Sequence, residues 1–486
     1  MKKYLSLVGY VTLSLTFVRG AVAQDAYPLP GKGLGPTVPA IADLNNDPSD
    51  GLETAVTTPD GTLQVIRANG TLAWSVRMPN VSCALAPATD RIASSPVIGE
   101  LYGDGIKYVI TGYGGLSARD CDGGVVAYRG SDGRRAWVFS TKRFGVRQKF
   151  HEPFHAVYGT PAVGDVNGDG KLEIGFGSFD RHIYLLNANG TVRWYAVAAD
   201  SVFSSPTFVD VDEDGKKEMI ISTDITRNER LRPPTPNGGY VYALRAAIAT
   251  RAGTKFNFRD PRLQLWRAEF DQGMDASPSV GNVMARNPGL EVVVGAGCFF
   301  PQGAGERRGK WFKVLSARTG KTLRTLHVTA CTRTGPALAD LDQDGVLDVV
   351  GTVSGARIYS GDGTSHVVAW SPNRSKVLWD VEPRAGTRSD IYGGHYGRKP
   401  IVFDLSGDGV PEILVTYSTD VIVFNAAGEQ LTCDSYPCGK PLLRTGATVK
   451  GAVVVADTDG DGTHDISVAG NVSGVPHLFR WINPFT

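Results

Sequence analysis

One acidic pattern recurs along almost the whole chain, and it constrains the fold more than any other feature of the sequence. In GDVNGDGKLEIGFGS, residues 164–178, Asp165, Asn167, Asp169 and Glu173 stand close together with Gly170 among them. The pattern begins at eight positions spaced about 45 to 70 residues apart: near 43, 100, 165, 210, 282, 340, 404 and 457. In a chain of 486 residues, self-similarity at this period predicts a repeat architecture.

Each repeat predicts four β-strands. A proline lies four residues before the motif in seven repeats, and Val453 takes that place in the eighth. A β-rich run such as EIGFGS follows the acidic loop, and a second run, a tight turn and often a Trp come next, as in HIYLLNANGTVRWYA. These repeats predict an all-β fold, a β-propeller with eight four-stranded blades, with seven blades as the alternative. The last blade either has three strands or is completed by residues 25–38.

The acidic loops indicate bound divalent cations. An Asp-Gly hairpin turn is the simpler explanation, but such a turn needs only one or two of these residues. Unit charges about 4 Å apart repel by roughly 4 kcal/mol at an effective dielectric constant of about 20, so three or four carboxylates in one loop favour a cation. Calcium accepts about 6 to 8 oxygen ligands, and a glycine permits the sharp turn around it.

We therefore predict about five or six calcium ions. The loop is similar to the start of an EF-hand loop, but its last acid falls at position 9 and its flanks are strands. The copies near 100 and 282 have lost most of the acids, so we expect them to lack a metal. The predicted ligands of the other six loops are Asp43, Asn45, Asp47, Asp50 and Glu53; Asp165, Asn167, Asp169 and Glu173; Asp210, Asp212, Asp214 and Glu218; Asp340, Asp342, Asp344 and Asp348; Asp404, Ser406, Asp408 and Glu412; and Asp457, Asp459, Asp461 and Asp465.

The repeated P-x-x-x-D-x-[DN]-x-D-G-x-x-[DE], followed by a β run that ends in Gly, resembles the FG-GAP and VCBS repeats of the integrin-α-like calcium-binding β-propellers. The resemblance covers residues 36–486. The Gly-Ala-Pro element of that family stands here as SSP, GTP or TGP, which favours the secreted bacterial branch. The resemblance implies calcium ions that stabilise loops and do no chemistry. Because the family includes adhesins, lectins and polysaccharide-degrading enzymes, it does not select a function.

Residues 1–23 predict a cleavable signal peptide, and residues 24–486 predict a single propeller domain. Lys2 and Lys3 precede an apolar run from Leu5 to Val18 and the small residues before Gln24. A retained membrane anchor is the alternative, but the apolar run is short for a bilayer span. We expect a secreted or periplasmic protein with no integral membrane segment after cleavage. Removal of residues 1–23 changes the net charge from +1 to −2, so charge gives no support for nucleic acid as a partner.

The six cysteines are an even number in a chain with an export signal, which predicts disulfide bonds. Fifteen pairings are open from the sequence alone. All six cysteines fall on the face formed by the loops between the second and third strands and between successive blades, which we name the loop-rich face. Adjoining loops on that face favour Cys83 with Cys121, Cys298 with Cys331, and Cys433 with Cys438.

The loop-rich face also holds the long insertions, which are basic and aromatic. Guanidinium groups bind carboxylates and sulfates, so this face favours an anionic or polyhydroxylated ligand, although surface arginines are also common without one. The candidate ligand-binding residues are Arg147, His151, His155, Arg230, Arg308, Tyr392, His395 and Arg398.

Three functions are consistent with this pattern. We favour a binding or adhesion module for a glycan or protein ligand, with no catalytic residue assigned. The first alternative is a lyase-like, polysaccharide-active enzyme in which histidines, tyrosines and arginines of the loop-rich face supply acid, base and charge neutralisation. The second is a purely structural extracellular module.

Overall fold

The chain forms an eight-bladed β-propeller. The structure, a computed structural model, describes residues 25–29, 37–58, 60–79, 94–115, 119–226, 229, 231, 233–297, 299–300, 308–354, 365–383, 399–417, 419–433, 438, 440–441, 443–449, 451–482 and 484–485. Eight antiparallel sheets follow one another along the chain, one for each acidic repeat. The eight-blade prediction is therefore confirmed.

The first four blades use the N-terminal half of the chain. Their strands, after β1 (Asp25–Pro28), are β2 (Ala40–Ala42), β3 (Glu53–Thr58), β4 (Thr62–Ile66) and β5 (Leu72–Arg77) in blade 1; β6 (Val97–Gly99), β7 (Tyr108–Tyr113), β8 (Gly124–Arg129) and β9 (Arg135–Ser140) in blade 2; β10 (Ala162–Gly164), β11 (Glu173–Gly177), β12 (His182–Leu186) and β13 (Val192–Val197) in blade 3; and β14 (Thr207–Val209), β15 (Glu218–Ile225), β16 (Gly238–Arg245) and, after β17 (Thr254–Asn257), β18 (Gln264–Phe270) in blade 4.

The last four blades repeat the same order. Their strands are β19 (Ser279–Gly281), β20 (Glu291–Gly295), β21 (Trp311–Ser316) and β22 (Thr322–His327) in blade 5; β23 (Ala337–Ala339), β24 (Asp348–Ser354), β25 (Ser365–Ser371) and β26 (Lys376–Val381) in blade 6; β27 (Ile401–Phe403), β28 (Glu412–Tyr417), β29 (Asp420–Phe424) and, after the short pair β30 (Thr432–Cys433) and β31 (Lys440–Pro441), β32 (Leu443–Arg444) in blade 7; and β33 (Thr448–Val449), β34 (Val454–Ala456), β35 (Asp465–Val472) and β36 (Val475–Trp481) in blade 8.

The N-terminal strand closes the ring. β1 pairs antiparallel with β36, with Tyr27 opposite Leu478, and so completes blade 8 as its outer strand. This decides between the two possibilities that the sequence leaves open. A closed ring has no exposed sheet edge at the seam between the first and last blades.

The short innermost strands of the blades line the central channel, since they contact their neighbours around most of the ring. They are β2, β6, β10, β14, β19, β23, β27 and β34. A proline precedes seven of them, which suits an inner-edge strand because one backbone N–H is not needed for pairing. Serines that directly precede these prolines link neighbouring blades here. The Ser205 Oγ accepts from the Thr160 N–H at 2.9 Å, and the Ser277 Oγ accepts from the Ser205 N–H at 2.9 Å.

Hydrophobic clusters fill the seams between neighbouring blades, so each sheet buries both faces. Tryptophans of the outer strands tie the seams at the rim. The indole Nε1–H of Trp194 donates to the Ala246 carbonyl at 3.1 Å, in the turn of the next blade. At the closing seam, Arg480 donates to the Ala68 carbonyl and Tyr27 covers Gly70, so two residues replace one indole.

Two elements differ from the predicted pattern. The segment after β9, expected to be a loop, begins with a helix, α1 (Thr141–Gln148). It forms because the Ser140 Oγ accepts from the Arg143 N–H at 3.0 Å and Phe144 packs edge-on against Tyr195. In blade 4, the long turn before β18 contributes β17, which pairs parallel with β13 and adds a fifth strand to blade 3.

Candidate functional site: the acidic loops and the central cavity

The acidic loops share one hydrogen-bonded frame between the first and second strands of each blade. In blade 4 the Asp210 Oδ2 accepts from the Gly215 N–H at 2.9 Å, and the Glu218 Oε2 accepts from the Val211 N–H at 3.1 Å. Gly215 has φ +83°, and the equivalent glycine in the other loops is also left-handed, which explains why glycine recurs at this position. The frame therefore holds the first and last acids at fixed places.

Three of the loops bring their carboxylates close enough to share a cation. Within the described part of the chain, ligand atoms lie within 4.8 Å of one another in three sets: Asp210, Asp212 and Glu218; Asp340, Asp342 and Asp344; and Asp457, Asp459 and Asp461. The buried Oδ1 atoms of Asp212 and Asp342 have no hydrogen-bond partner. Orphaned carboxylate oxygens in a cluster of hard oxygen donors fit a divalent cation such as calcium.

The remaining predicted ligands occupy the same frame with an amide or hydroxyl in one position. In blade 3, the Asn167 Nδ2 donates to the Glu173 Oε1 at 3.1 Å, and four backbone N–H groups donate to Asp165. The blade 7 loop repeats this around Asp404, with Ser406 and Asp408 following and Glu412 accepting from the Leu405 N–H. In these loops the first and last acids share the hydrogen-bonded frame, whereas among the described residues the carboxylates meet closely only in the three sets named above.

The blade 1 loop has the same ends in spite of its insertion. The Asp47 N–H donates to the Asp43 Oδ1 at 3.0 Å, and the Asn45 Nδ2 donates to both Asp50 and Glu53. The insertion forms a short 3₁₀ helix (Pro48–Asp50). The extra residues are therefore accommodated without displacing Glu53 from the frame.

Burial of the last acid perturbs its titration. Glu218 is 2% exposed, and burial raises the pKa of its carboxyl to about 7, with nearby Asp212 and Asp214 adding to the rise. Burial likewise raises the pKa of Asp348 to about 6. A carboxylate in such surroundings is costly to ionise without a nearby cation, and bound calcium would supply that charge.

Blade 6 carries its own competing cation. The Arg374 guanidinium lies 2.5 Å from the Asp342 Oδ2 and 2.9 Å from the Asp344 Oδ2. In the two weakened loops, the frame persists without the acid set: the Gly105 N–H donates to Glu100, and Glu291 accepts from the Val283 N–H at 2.9 Å. The frame is therefore a property of the turn, and the extra acids are an addition to it.

The cysteines agree with the predicted disulfide framework where they are described. Cys433 and Cys438 form a disulfide bond. Cys121 and Cys331 are also disulfide-bonded. Their predicted partners, Cys83 and Cys298, lie outside the described residues.

The candidate ligand residues of the loop-rich face do not form one site in the described structure. Arg147 and His151 are exposed at and after α1. His155 is only 4% exposed, and burial lowers the pKa of its imidazole. Arg308 lies over the Phe300 ring at 4.5 Å and donates to the Asn237 carbonyl at 3.1 Å. Four further candidates lie outside the described residues: Arg230, Tyr392, His395 and Arg398.

A cavity of about 440 Å³ opens at the loop-rich end of the central channel. Its wall is built where the chain enters the first strands, so residues from distant repeats meet there. Ser95, Ser205 and Ser277 supply hydroxyls, and Tyr158 and Phe203 supply aromatic rings. A cavity of this size, with an apolar wall and few polar groups, is typical of small-molecule sites.

The cavity wall contains a buried ion pair that the sequence does not predict. The Arg333 guanidinium lies 3.1 Å from the Asp275 carboxylate, and Asp275 hydrogen-bonds to Asp224. Burial raises the pKa of both carboxyls, more strongly for Asp224. The pair holds Arg333 against the wall. These residues come from blades 4 to 6 and share no local motif.

Lys399 completes the wall beside the first strand of blade 7. Its side chain is accessible from the channel, and its Nζ lies 2.9 Å from the Ser279 Oγ. Burial lowers the pKa of this ammonium group. The cavity thus combines two cations, Arg333 and Lys399, with hydroxyls and aromatic rings.

These features define the class of the protein as an eight-bladed β-propeller with acidic loops at one face and a cavity at the other. Solved structures with this fold resemble it at low identity. A quinohemoprotein alcohol dehydrogenase from Pseudomonas putida HK5 aligns with a TM-score of 0.61 and 12% identity, over 96% of this chain and 76% of that one. A rhamnogalacturonan lyase from Bacillus licheniformis gives 0.52 and 14%, over 93% and 75%.

BamB from Moraxella catarrhalis aligns with a TM-score of 0.50 and 13% identity, over 94% of this chain and 99% of that one. No protein-family model matches the sequence, and no curated protein does. At these identities the likeness shows the fold alone. Among the described residues, no helix has the length and apolar character needed to cross a membrane.

Proposed function

We propose that this protein is a secreted or periplasmic, calcium-stabilised β-propeller that binds a glycan or protein ligand at its loop-rich face. The observation that carries the binding role is the cavity at the mouth of the central channel, with its hydroxyls, rings and two cations. Hydroxyls and cations suit a polar ligand, and aromatic rings suit the apolar face of a sugar.

The calcium proposal rests on the acid sets. Six loops would hold ions through the residues named above, and the orphaned Asp212 and Asp342 oxygens support it. The ions would neutralise carboxylates that the fold otherwise buries at a cost, and would take no part in chemistry. The resemblance to FG-GAP and VCBS repeats supports the same assignment. Disulfide bonds at Cys433 and Cys438 agree with an oxidising compartment.

A glycan array tests the binding role. The purified protein, loaded with calcium, is expected to retain a defined group of glycans, and chelation is expected to weaken retention because the propeller loosens. Retention of no glycan on the array and of no acidic polymer would contradict glycan binding. Depolymerisation of a retained polysaccharide would instead support the enzyme alternative.

A further inference from the structure

The charges of the cavity wall do not balance. Among the described residues that line it, Lys399 and Arg333 are cationic and Asp275 is anionic. Asp275 is already engaged by Arg333 at 3.1 Å and by Asp224. Lys399 thus supplies one positive charge in excess at the mouth of the channel.

Lys399 has a hydroxyl partner and no ion pair within the described part of the chain. Its ammonium donates to the Ser279 Oγ, whose own proton is donated to the Pro336 carbonyl at 2.6 Å. The side chain of Lys399 is exposed to the channel, so its ammonium is within reach of a ligand in the cavity. An accessible ammonium on a cavity wall that also carries hydroxyls and aromatic rings is a candidate for binding an anionic ligand.

We propose that the cavity binds the carboxylate of an acidic sugar, with Lys399 as the anion-binding residue. This rests on the proposed glycan-binding function and names its ligand class. Lys399 pairs with the carboxylate, and the serine hydroxyls of the wall bond the sugar hydroxyls. Tyr158 and Phe203 cover an apolar face of the ring. Arg333, which is paired with Asp275, also lines the cavity.

A singly charged carboxylate fits better than a doubly charged phosphate. One excess positive charge on the described wall is neutralised by one negative charge, whereas a dianion would leave a buried negative charge uncompensated. A sugar also suits the wall better than a peptide terminus, because hydroxyls and rings outnumber the charged groups.

Calorimetric titration with galacturonate and with its methyl ester tests the proposal. The ester keeps the sugar and removes the charge. For the acid, we expect Lys399→Met to raise Kd about 10- to 100-fold, as for the loss of a charge-assisted hydrogen bond, and Lys399→Arg to retain part of the affinity. The matched control is Lys310→Met, which removes a lysine on the same face that does not line the cavity.

Stability supplies a second readout. Lys399→Met breaks no ion pair among the described residues, so its melting temperature is expected to equal or exceed that of the wild type. A large fall in melting temperature, with equal loss of acid and ester binding, would show that Lys399 is structural and overturn the proposal.

The titration tests the carboxylate assignment, and the glycan array tests glycan binding itself. Equal affinity for acid and ester, unaffected by Lys399→Met, would overturn the carboxylate assignment and leave glycan binding intact. Tighter binding of a short peptide through its C-terminal carboxylate would overturn the assignment to a sugar. Retention of no carbohydrate on the array would remove the proposed function itself.

Discussion

Glu218 offers a direct test of how the acidic loops work without metal. Its carboxyl is buried in the blade 4 loop, where burial raises its pKa to about 7 from an ordinary 4.5. Between these pH values the folded protein holds a proton that the unfolded chain has released. The stabilisation from this proton is fully present below pH 4.5 and is lost as pH rises through 7. The calcium-free protein should therefore lose stability over this range.

The magnitude follows from the two pKa values. At about 1.4 kcal/mol per pH unit, the difference between 4.5 and about 7 amounts to at most about 3.5 kcal/mol for Glu218. Glu218→Gln keeps the shape and the acceptor for the Val211 N–H but carries no charge. In chelator it should therefore be more stable than the wild type at pH 8 and nearly equal to it at pH 4.5. With calcium, the order at pH 8 should reverse, because the variant lacks a ligand.

Urea unfolding at several pH values, with chelator and with calcium, measures both effects. Glu382→Gln, at an exposed position, is the control and should change neither curve. If Glu218→Gln lowered the urea midpoint of the chelated protein equally at pH 4.5 and pH 8, the argument that burial penalises this carboxylate would be refuted.

Three further predictions concern single contacts. Arg374→Ala should raise calcium affinity at the blade 6 loop, because the guanidinium competes for its carboxylates. Terbium luminescence measures this affinity. Arg318→Ala, whose guanidinium contacts no predicted ligand side chain, is the control and should leave the affinity of that loop unchanged. Trp194→Phe should destabilise the protein by about 2 to 4 kcal/mol in urea unfolding, and the same change at the less buried Trp74 by less. Tyr27→Ala should open the closing seam, with proteolysis beginning at the N-terminal strand; unchanged proteolysis would contradict that role.

The sequence predicts those parts of the molecule that repeat. Eight copies of one motif indicate eight blades because each copy carries a turn followed by a β run, with a proline ahead of the turn in seven copies and the full acid set in six. The acid sets follow for the same reason, since ligands within one turn are close in the chain. The sequence predicts that the last acid belongs to the loop. The hydrogen bond that this acid accepts from the N–H of the second loop residue, as Glu218 does from Val211, is visible only in the structure.

Features that occur once are not predictable in this way. The strand Asp25–Pro28 is too short for a pattern, and its role depends on the far end of the chain. β17 pairs with the preceding blade by returning from a long turn. The cavity joins Asp275, Arg333 and Lys399, which meet only when the ring closes. The residues that flank them in the sequence do not predict that they line one cavity.

The predictions for the acidic loops depend on one proposal, that divalent ions stabilise these loops. Its most direct test is elemental analysis of the dialysed protein together with its melting temperature before and after chelation. We expect about five or six calcium ions per chain and a lower melting temperature in chelator that calcium restores. Absence of bound metal, with a melting temperature that chelation leaves unchanged, would contradict the account.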